Sequence, residues 1–204
     1  MSFESLTPDH YDCLREIMNI AMGRAGLALA TLFERRIELK VPEIALIAAS
    51  ELVERFGQDD DPEITCAAVR QAFLGRLRGE IIVFHQRDPS LSVLSLLDYD
   101  GPPTEFRERE FLLEVSNLLI GAIIGNMGKL MRCDIGYSRP TIIAMDARPA
   151  DLVRECSTAW DQALLTIVQF QLEYGRFTSR VLILLPQSSA EALIGGLEGF
   201  MGAM

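Results

Sequence analysis

The side chains best suited to chemistry in this chain come as a pair, and the pair occurs twice. Asp12, Glu16, Asn19 and Gly23 follow one another at spacings of four, three and four residues, and Glu110, Glu114, Asn117 and Gly121 repeat those spacings. Each member of the second set lies 98 positions after its counterpart in the first. Residues three apart on a helix share a face, so each set puts a carboxylate beside a carboxamide. A carboxamide does not titrate and cannot act as a general base. It can accept one hydrogen of a water while donating to a second acceptor, which fixes the direction of attack, as the glutamine that orients water in GTP hydrolysis does. An acid–amide pair with no nucleophile, metal or phosphate loop suits the completion of another protein's active site. An aspartyl phosphate fits that role, because the acyl phosphate is intrinsically labile and placing the water is sufficient.

Asparagine in mid-helix is unfavourable, since its amide competes with backbone hydrogen bonds. Three placements are open for Asn19 and Asn117: bonded to a neighbouring loop, paired across a helix interface, or turned outward to act on something else. Recurrence of the same amide three residues after the same carboxylate, in two otherwise divergent segments, favours the outward placement.

The elements that must carry these residues are set by capping and periodicity. Thr7-Pro8-Asp9 starts a helix with a hydroxyl N-cap, a proline in the first turn and an acid at the positive end. Apolar residues at three- and four-residue spacings extend it to about Phe33. Residues 36–49 read as two strand segments or one bent edge strand broken by Pro42. A helical turn at 51–56 and a loop at 58–62 come next, then paired strands at 64–74 and 78–85 joined near Gly75, and a short closing helix at 89–97. Asp100-Gly101-Pro102-Pro103 is the strongest turn signal and marks the boundary between two halves, about 1–100 and 101–204, of a single domain. The order then repeats. A long helix spans 105–132, extended sequence spans 135–145 with Pro140 (98 positions after Pro42), strands cover 163–174 and 180–185, and a last helix begins near Ser188. Such a duplication predicts a pseudo-twofold α/β molecule with the strands of both halves meeting in one core.

Bulk properties exclude several functions. A formal charge of −10 over 204 residues leaves no basic stripe for nucleic acid. Cys13, Cys66, Cys133 and Cys156 are scattered without a metal-ligand spacing, and reduced cytoplasmic thiols are the simplest reading. His10 and His85 are too dispersed for a metal site or a catalytic triad, and are expected to be surface or locally capped side chains. From its polar N-terminus the chain is expected to carry no secretory signal. Residues 118–131 are apolar and contain Gly121-x-x-x-Gly125, but Asn126 and Lys129 interrupt them. They read as a buried helix whose glycines permit close approach, not as a membrane span.

The twofold motif in about 200 residues resembles that of the CheC family of chemotaxis phosphatases, the CheC/CheX/FliY group. The stretches Glu16-Ile17-Met18-Asn19-Ile20-Ala21-Met22-Gly23-Arg24-Ala25 and Glu114-Val115-Ser116-Asn117-Leu118-Leu119-Ile120-Gly121 carry the likeness. So does the glycine-punctuated strand pair Phe73-Leu74-Gly75-x-x-x-Gly79-x-x-Ile82-Val83-Phe84. The resemblance is to the two-motif CheC type and covers nearly the whole chain. It implies an α/β (α+β) pseudo-twofold fold, with two long motif-bearing helices packed against a mostly antiparallel sheet and short helices. It implies dephosphorylation of a CheY-type response regulator in the cytoplasm. Glu16 and Glu114 would engage the regulator's active-site lysine, and Asn19 and Asn117 would place the water. Asp12, Gly23, Glu110 and Gly121 would support the motifs. No cofactor is implied for the chain itself, and the Mg2+ would be the regulator's. A CheD-like deamidase is a further partner in some relatives.

Two positions depart from the family pattern. Glu110 stands where aspartate or serine is usual; it keeps the charge class, so little harm is expected, although its longer arm has the reach to crowd Glu114, and if one site is the weaker it is expected to be the second. Ala21 stands where many relatives have glycine. With no appended domain of the flagellar-switch kind in view, a free-standing phosphatase is expected over a switch component. A non-catalytic module that binds a response regulator, or one like the flagellar switch, is the alternative.

Overall fold

Thr7 caps the first helix as its sequence predicts, in a computed structural model that describes residues 3–34, 38–40, 44–54, 65–86, 104–157, 160–172 and 175–203. Its hydroxyl accepts from the backbone N–H of His10, and the His10 ring bonds back to the Thr7 backbone N–H at 3.0 Å, closing a capping box. Helix α1 runs Pro8–Phe33, and Thr104 caps the equally long α2, Glu105–Leu130. Both end on a non-glycine residue in the left-handed region, Glu34 (φ 51°) and Arg132 (φ 53°), again 98 positions apart. After α2 the chain turns back sharply: the Cys133 N–H bonds to the Gly128 carbonyl at 2.8 Å.

Among the described residues eight strands form one sheet: β1 (Glu38–Lys40), β2 (Ile44–Ala48), β3 (Cys66–Gly75), β4 (Gly79–Gln86), β5 (Ile135–Tyr137), β6 (Thr141–Ala147), β7 (Gln162–Leu172) and β8 (Gly175–Leu185). The order is β1-β7-β8-β4-β3-β5, with β2 also on β7 and β6 also on β3, and every pairing is antiparallel. The first two strands of each half thus add to the hairpin of the other half. The two halves meet where β4 pairs with β8, and there Val83 lies opposite Val181. Those two valines are 98 positions apart, so the pseudo-twofold axis passes through a residue facing its own counterpart.

Side-chain alternation divides the sheet between two cores. Val69, Phe73, Ile81, Val83, Val181 and Ile183 point to the face covered by α1, α2 and the C-terminal helix α4 (Ala190–Met201). Ala68, Ile82, Phe84, Leu182 and Leu184 point to the other face, covered by Leu52 after the 3-10 turn Ala49–Glu51 and by Val153 of helix α3 (Pro149–Ser157). Burial on both faces makes β4 and the second half of β8 almost continuously apolar, which an open antiparallel sheet would not be. Gly75 and Gly79 are demanded by close approach: a Cβ on Gly75 (φ 147°) would lie 2.2 Å from the Asp134 carbonyl, and one on Gly79 2.2 Å from that of Leu184.

Several expectations are corrected. His85 is neither at the surface nor capped locally; it is 1% exposed beneath α2. Gly121 does not mediate close approach, for nothing lies within 4 Å of the Cβ it lacks. The tight contact falls at Gly128, where the returning loop sets the Cys133 carbonyl 2.9 Å from that position. Helix α3 was not expected, although the helical turn after β2 occupies the matching place in the first half. The expected loop at 58–62, helix at 89–97, boundary at 100–103 and Pro42 lie outside the described residues. By length and composition α2 could cross a membrane, but 61% of its most apolar window is buried inside the protein.

Candidate functional site

Helices α1 and α2 pack side by side and antiparallel. Phe33 near the end of α1 stacks at a tilt on Phe111 near the start of α2, with ring centroids 5.7 Å apart, while Arg24 donates to the Asn126 side-chain oxygen farther along. Each helix buries one apolar face, Ile17, Met18, Ala21, Met22 and Ala25 on α1 and Val115, Leu119, Ile120, Ile123 and Met127 on α2. The opposite face must then look outward. Asp12, Glu16, Asn19 and Gly23 are exposed on α1, and Glu110, Glu114, Asn117 and Gly121 are exposed on α2. The structure brings each set together on one helix but does not join the two sets. From the antiparallel register of the Phe33–Phe111 and Arg24–Asn126 contacts, Asn19 and Asn117 sit roughly 12–21 Å apart along the helix pair, at about 1.5 Å per residue.

The side chains within each set divide into held and free. Asp12 is held by Arg15 at 3.3 Å and Glu110 by Arg107 at 3.1 Å. Glu110 is therefore drawn towards the N-terminal end of α2, away from Glu114, in keeping with the little harm expected of its longer arm. Glu16, Asn19, Glu114 and Asn117 have no hydrogen-bond or ion-pair partner among the described residues. Among the described residues neither internal placement open for Asn19 and Asn117, a neighbouring loop or a helix interface, is realised. Gly23 and Gly121 leave bare helix beside each pair, with nothing within 4 Å of the point where a Cβ would stand on either. Each face is thus a flat strip from which one carboxylate and one carboxamide project.

Beneath the second pair lies a polar contact that the motif does not announce. The buried Ser116 Oγ is 2.7 Å from His85 Nε2, and His85 Nδ1 is 2.9 Å from the Ser179 Oγ. Burial lowers the His85 pKa to about 3, so the ring is neutral. At the matching position of α1 stands Met18, fully buried. Sequence reasoning passed over Ser116 because nothing local distinguishes a buried serine from an exposed one. It also passed over Lys129, Arg132 and Tyr137, which line a cavity at the end of α2. Lys129, interrupting an apolar run, was the available signal. No group of three or more His, Cys, Asp or Glu among the described residues is placed to hold a metal ion. Cys13, Cys66 and Cys133 are buried free thiols.

No family model matches the chain. It is 27% identical over 146 residues to the CheY-P phosphatase CheC of Bacillus subtilis, covering 69% of this chain and 68% of that protein. It is 24% identical over 199 residues to the flagellar motor switch phosphatase FliY of the same bacterium, covering 95% of this chain and 50% of that one. The chain therefore spans half the length of that relative. Among solved structures, Thermotoga maritima FliY superposes with a TM-score of 0.69 at 16% identity, covering 98% of this chain and 100% of that one. The FliM middle domain of Vibrio alginolyticus superposes at 0.59 and 11% identity, covering 88% and 96%. The chain is CheC-like in sequence and in fold.

Proposed function

We propose that this CheC-like chain is a phosphatase for the aspartyl phosphate of a CheY-type response regulator. The observation that carries the reading is the state of four side chains: Glu16, Asn19, Glu114 and Asn117 are exposed and unpartnered among the described residues, on helices otherwise committed to the core. A regulator docks on either helix face. Glu16 or Glu114 pairs with a lysine beside its phosphoaspartate, and Asn19 or Asn117 enters the pocket. The amide oxygen accepts one hydrogen of a water, and the amide N–H2 donates to a neighbouring oxygen of the pocket, which aligns the water with phosphorus. The water oxygen bonds to phosphorus as the acyl P–O bond breaks, giving inorganic phosphate and a free aspartate carboxylate. The Mg2+ and the phosphoryl group are the regulator's own, and the chain contributes placement.

The test is the rate of phosphate loss from a phosphorylated CheY-type regulator in the presence of the wild-type protein and of Asn19→Ala/Asn117→Ala. The double variant is expected to lose about 100-fold or more of the stimulation, while each single variant keeps a substantial part. Equal stimulation by the wild type and the double variant would overturn the mechanism. The likeness to the FliM middle domain favours a second reading, a docking module without catalysis. It predicts binding of the phosphorylated regulator with no change in phosphate lifetime.

A further inference from the structure

The two helix faces match through Gly23 and Gly121 and diverge beyond them. On α2 the exposed strip continues from Gly121 into a cavity of about 470 Å³ between the end of the helix and β5. Gly125 and Gly128 belong to its wall, Lys129, Arg132 and Asp134 bring charge to it, and Tyr137 stands over Gly125, its hydroxyl 3.2 Å from where a Cβ would be. Helical spacing puts Gly121, Gly125, Gly128 and Arg132 on the side of α2 that displays Glu114 and Asn117. Lys129 lies roughly 18 Å beyond Asn117 along the axis. Neither Lys129 nor Arg132 has an ion-pair partner among the described residues, and neither lies within 4 Å of the Asp134 carboxylate. In a chain of net charge −10, a cavity lined by two cations against the single carboxylate of Asp134 is a local excess of positive charge that can take one more acid.

On α1 the corresponding positions are Leu27, Thr31 and Glu34. Leu27 is 72% exposed, the Thr31 hydroxyl is occupied by the Leu27 carbonyl at 3.0 Å, and Glu34 has the opposite charge to Arg132.

We propose that the cavity is the distal half of the docking surface for the regulator held at Glu114 and Asn117. It takes an acidic side chain of that regulator between Lys129 and Arg132, with the Tyr137 hydroxyl donating a further hydrogen bond. The inference rests on the phosphatase reading above. Its consequence is that the two faces hold the same partner differently: the second through a salt-sensitive contact with Lys129 and Arg132, the first with the exposed Leu27 and with Thr31 and Glu34 at the positions of those two cations.

The experiment introduces Lys129→Ala/Arg132→Gln into two backgrounds, Asn19→Ala, where only the second face works, and Asn117→Ala, where only the first does. In the Asn19→Ala background the KM for phosphorylated regulator is expected to rise roughly five- to tenfold and its salt dependence to flatten, with kcat unchanged. In the Asn117→Ala background nothing is expected to change. Arg132→Lys with Lys129 intact should retain most of the affinity, which separates lost charge from misfolding. An unchanged KM in the first background, or an equal rise in both, overturns the proposal. Binding of a beryllofluoride-activated regulator, read without turnover, keeps it independent of catalysis. If the paired asparagine variants leave hydrolysis intact, the phosphatase reading fails. If they abolish hydrolysis but the cationic pair alters binding on neither face, the cavity alone is refuted.

Discussion

His85 of β4 and Ser116 of α2 meet at 2.7 Å in the core, so the residue next to Asn117 is tied by a polar contact to the central strand pair. In the unfolded chain His85 takes up a proton as pH falls through about 6.5, while the buried ring stays neutral down to about 3. The unfolded state therefore binds the extra proton over that window, and stability falls as pH falls from 6.5 towards 3. Denaturant unfolding at pH 7 and about pH 5 should show a smaller loss for His85→Gln than for the wild type. An equal loss would mean that His85 is already protonated in the fold or exposed to solvent.

Gly23 and Gly121 lie in helix interiors with open space above them. Alanine at either position should stabilise the protein by up to about 1 kcal/mol, because glycine is the poorer helix former by that amount. The added methyl would stand on the proposed docking strip, so on that reading regulator binding should weaken while the melting temperature rises. Loss of stability in either variant would show that the surrounding space is filled.

Gly75 and Gly79 should behave in the opposite way. A Cβ on either would stand 2.2 Å from a backbone carbonyl, and backbone cannot yield as a flexible side chain can. Alanine at either site is expected to destabilise by about 2 kcal/mol or more, read as a lowered denaturation midpoint or as insoluble protein.

Arg24 crosses from α1 to the side-chain oxygen of Asn126, which is 5% exposed. Arg24→Ala strands that acceptor and should cost about 1–2 kcal/mol. Arg15→Ala removes only an exposed contact to Asp12 and should change stability by less than about 0.5 kcal/mol. Chemical denaturation of the two variants side by side decides the ranking.

Much of the architecture is legible in the amino-acid order. Thr7-Pro8 announces the first long helix because capping is a local transaction between a hydroxyl and the next free N–H groups, and in the structure Thr104 caps the second in the same way. The 98-residue offset links the motifs and Pro42 to Pro140, and the structure extends it to Val83 and Val181 and to the left-handed pair Glu34 and Arg132. Helix α3 escapes notice because it is only nine residues long and polar on average, too short for its amphipathic spacing to stand out, even though the matching turn in the first half is readable.

The chain's own residue order determined which side chains share a helix face, where the long helices start, and that the molecule is built of two like halves. Periodicity and caps are short-range properties, readable within a turn or two. Only tertiary structure decided that β1 and β2 join the hairpin of the other half, that His85 lies under Ser116, and that α2 ends beside a cavity lined by Lys129 and Arg132. Those facts depend on which buried surface finds which partner across a hundred residues of chain. Periodicity names the face that must be buried, and only packing chooses what covers it.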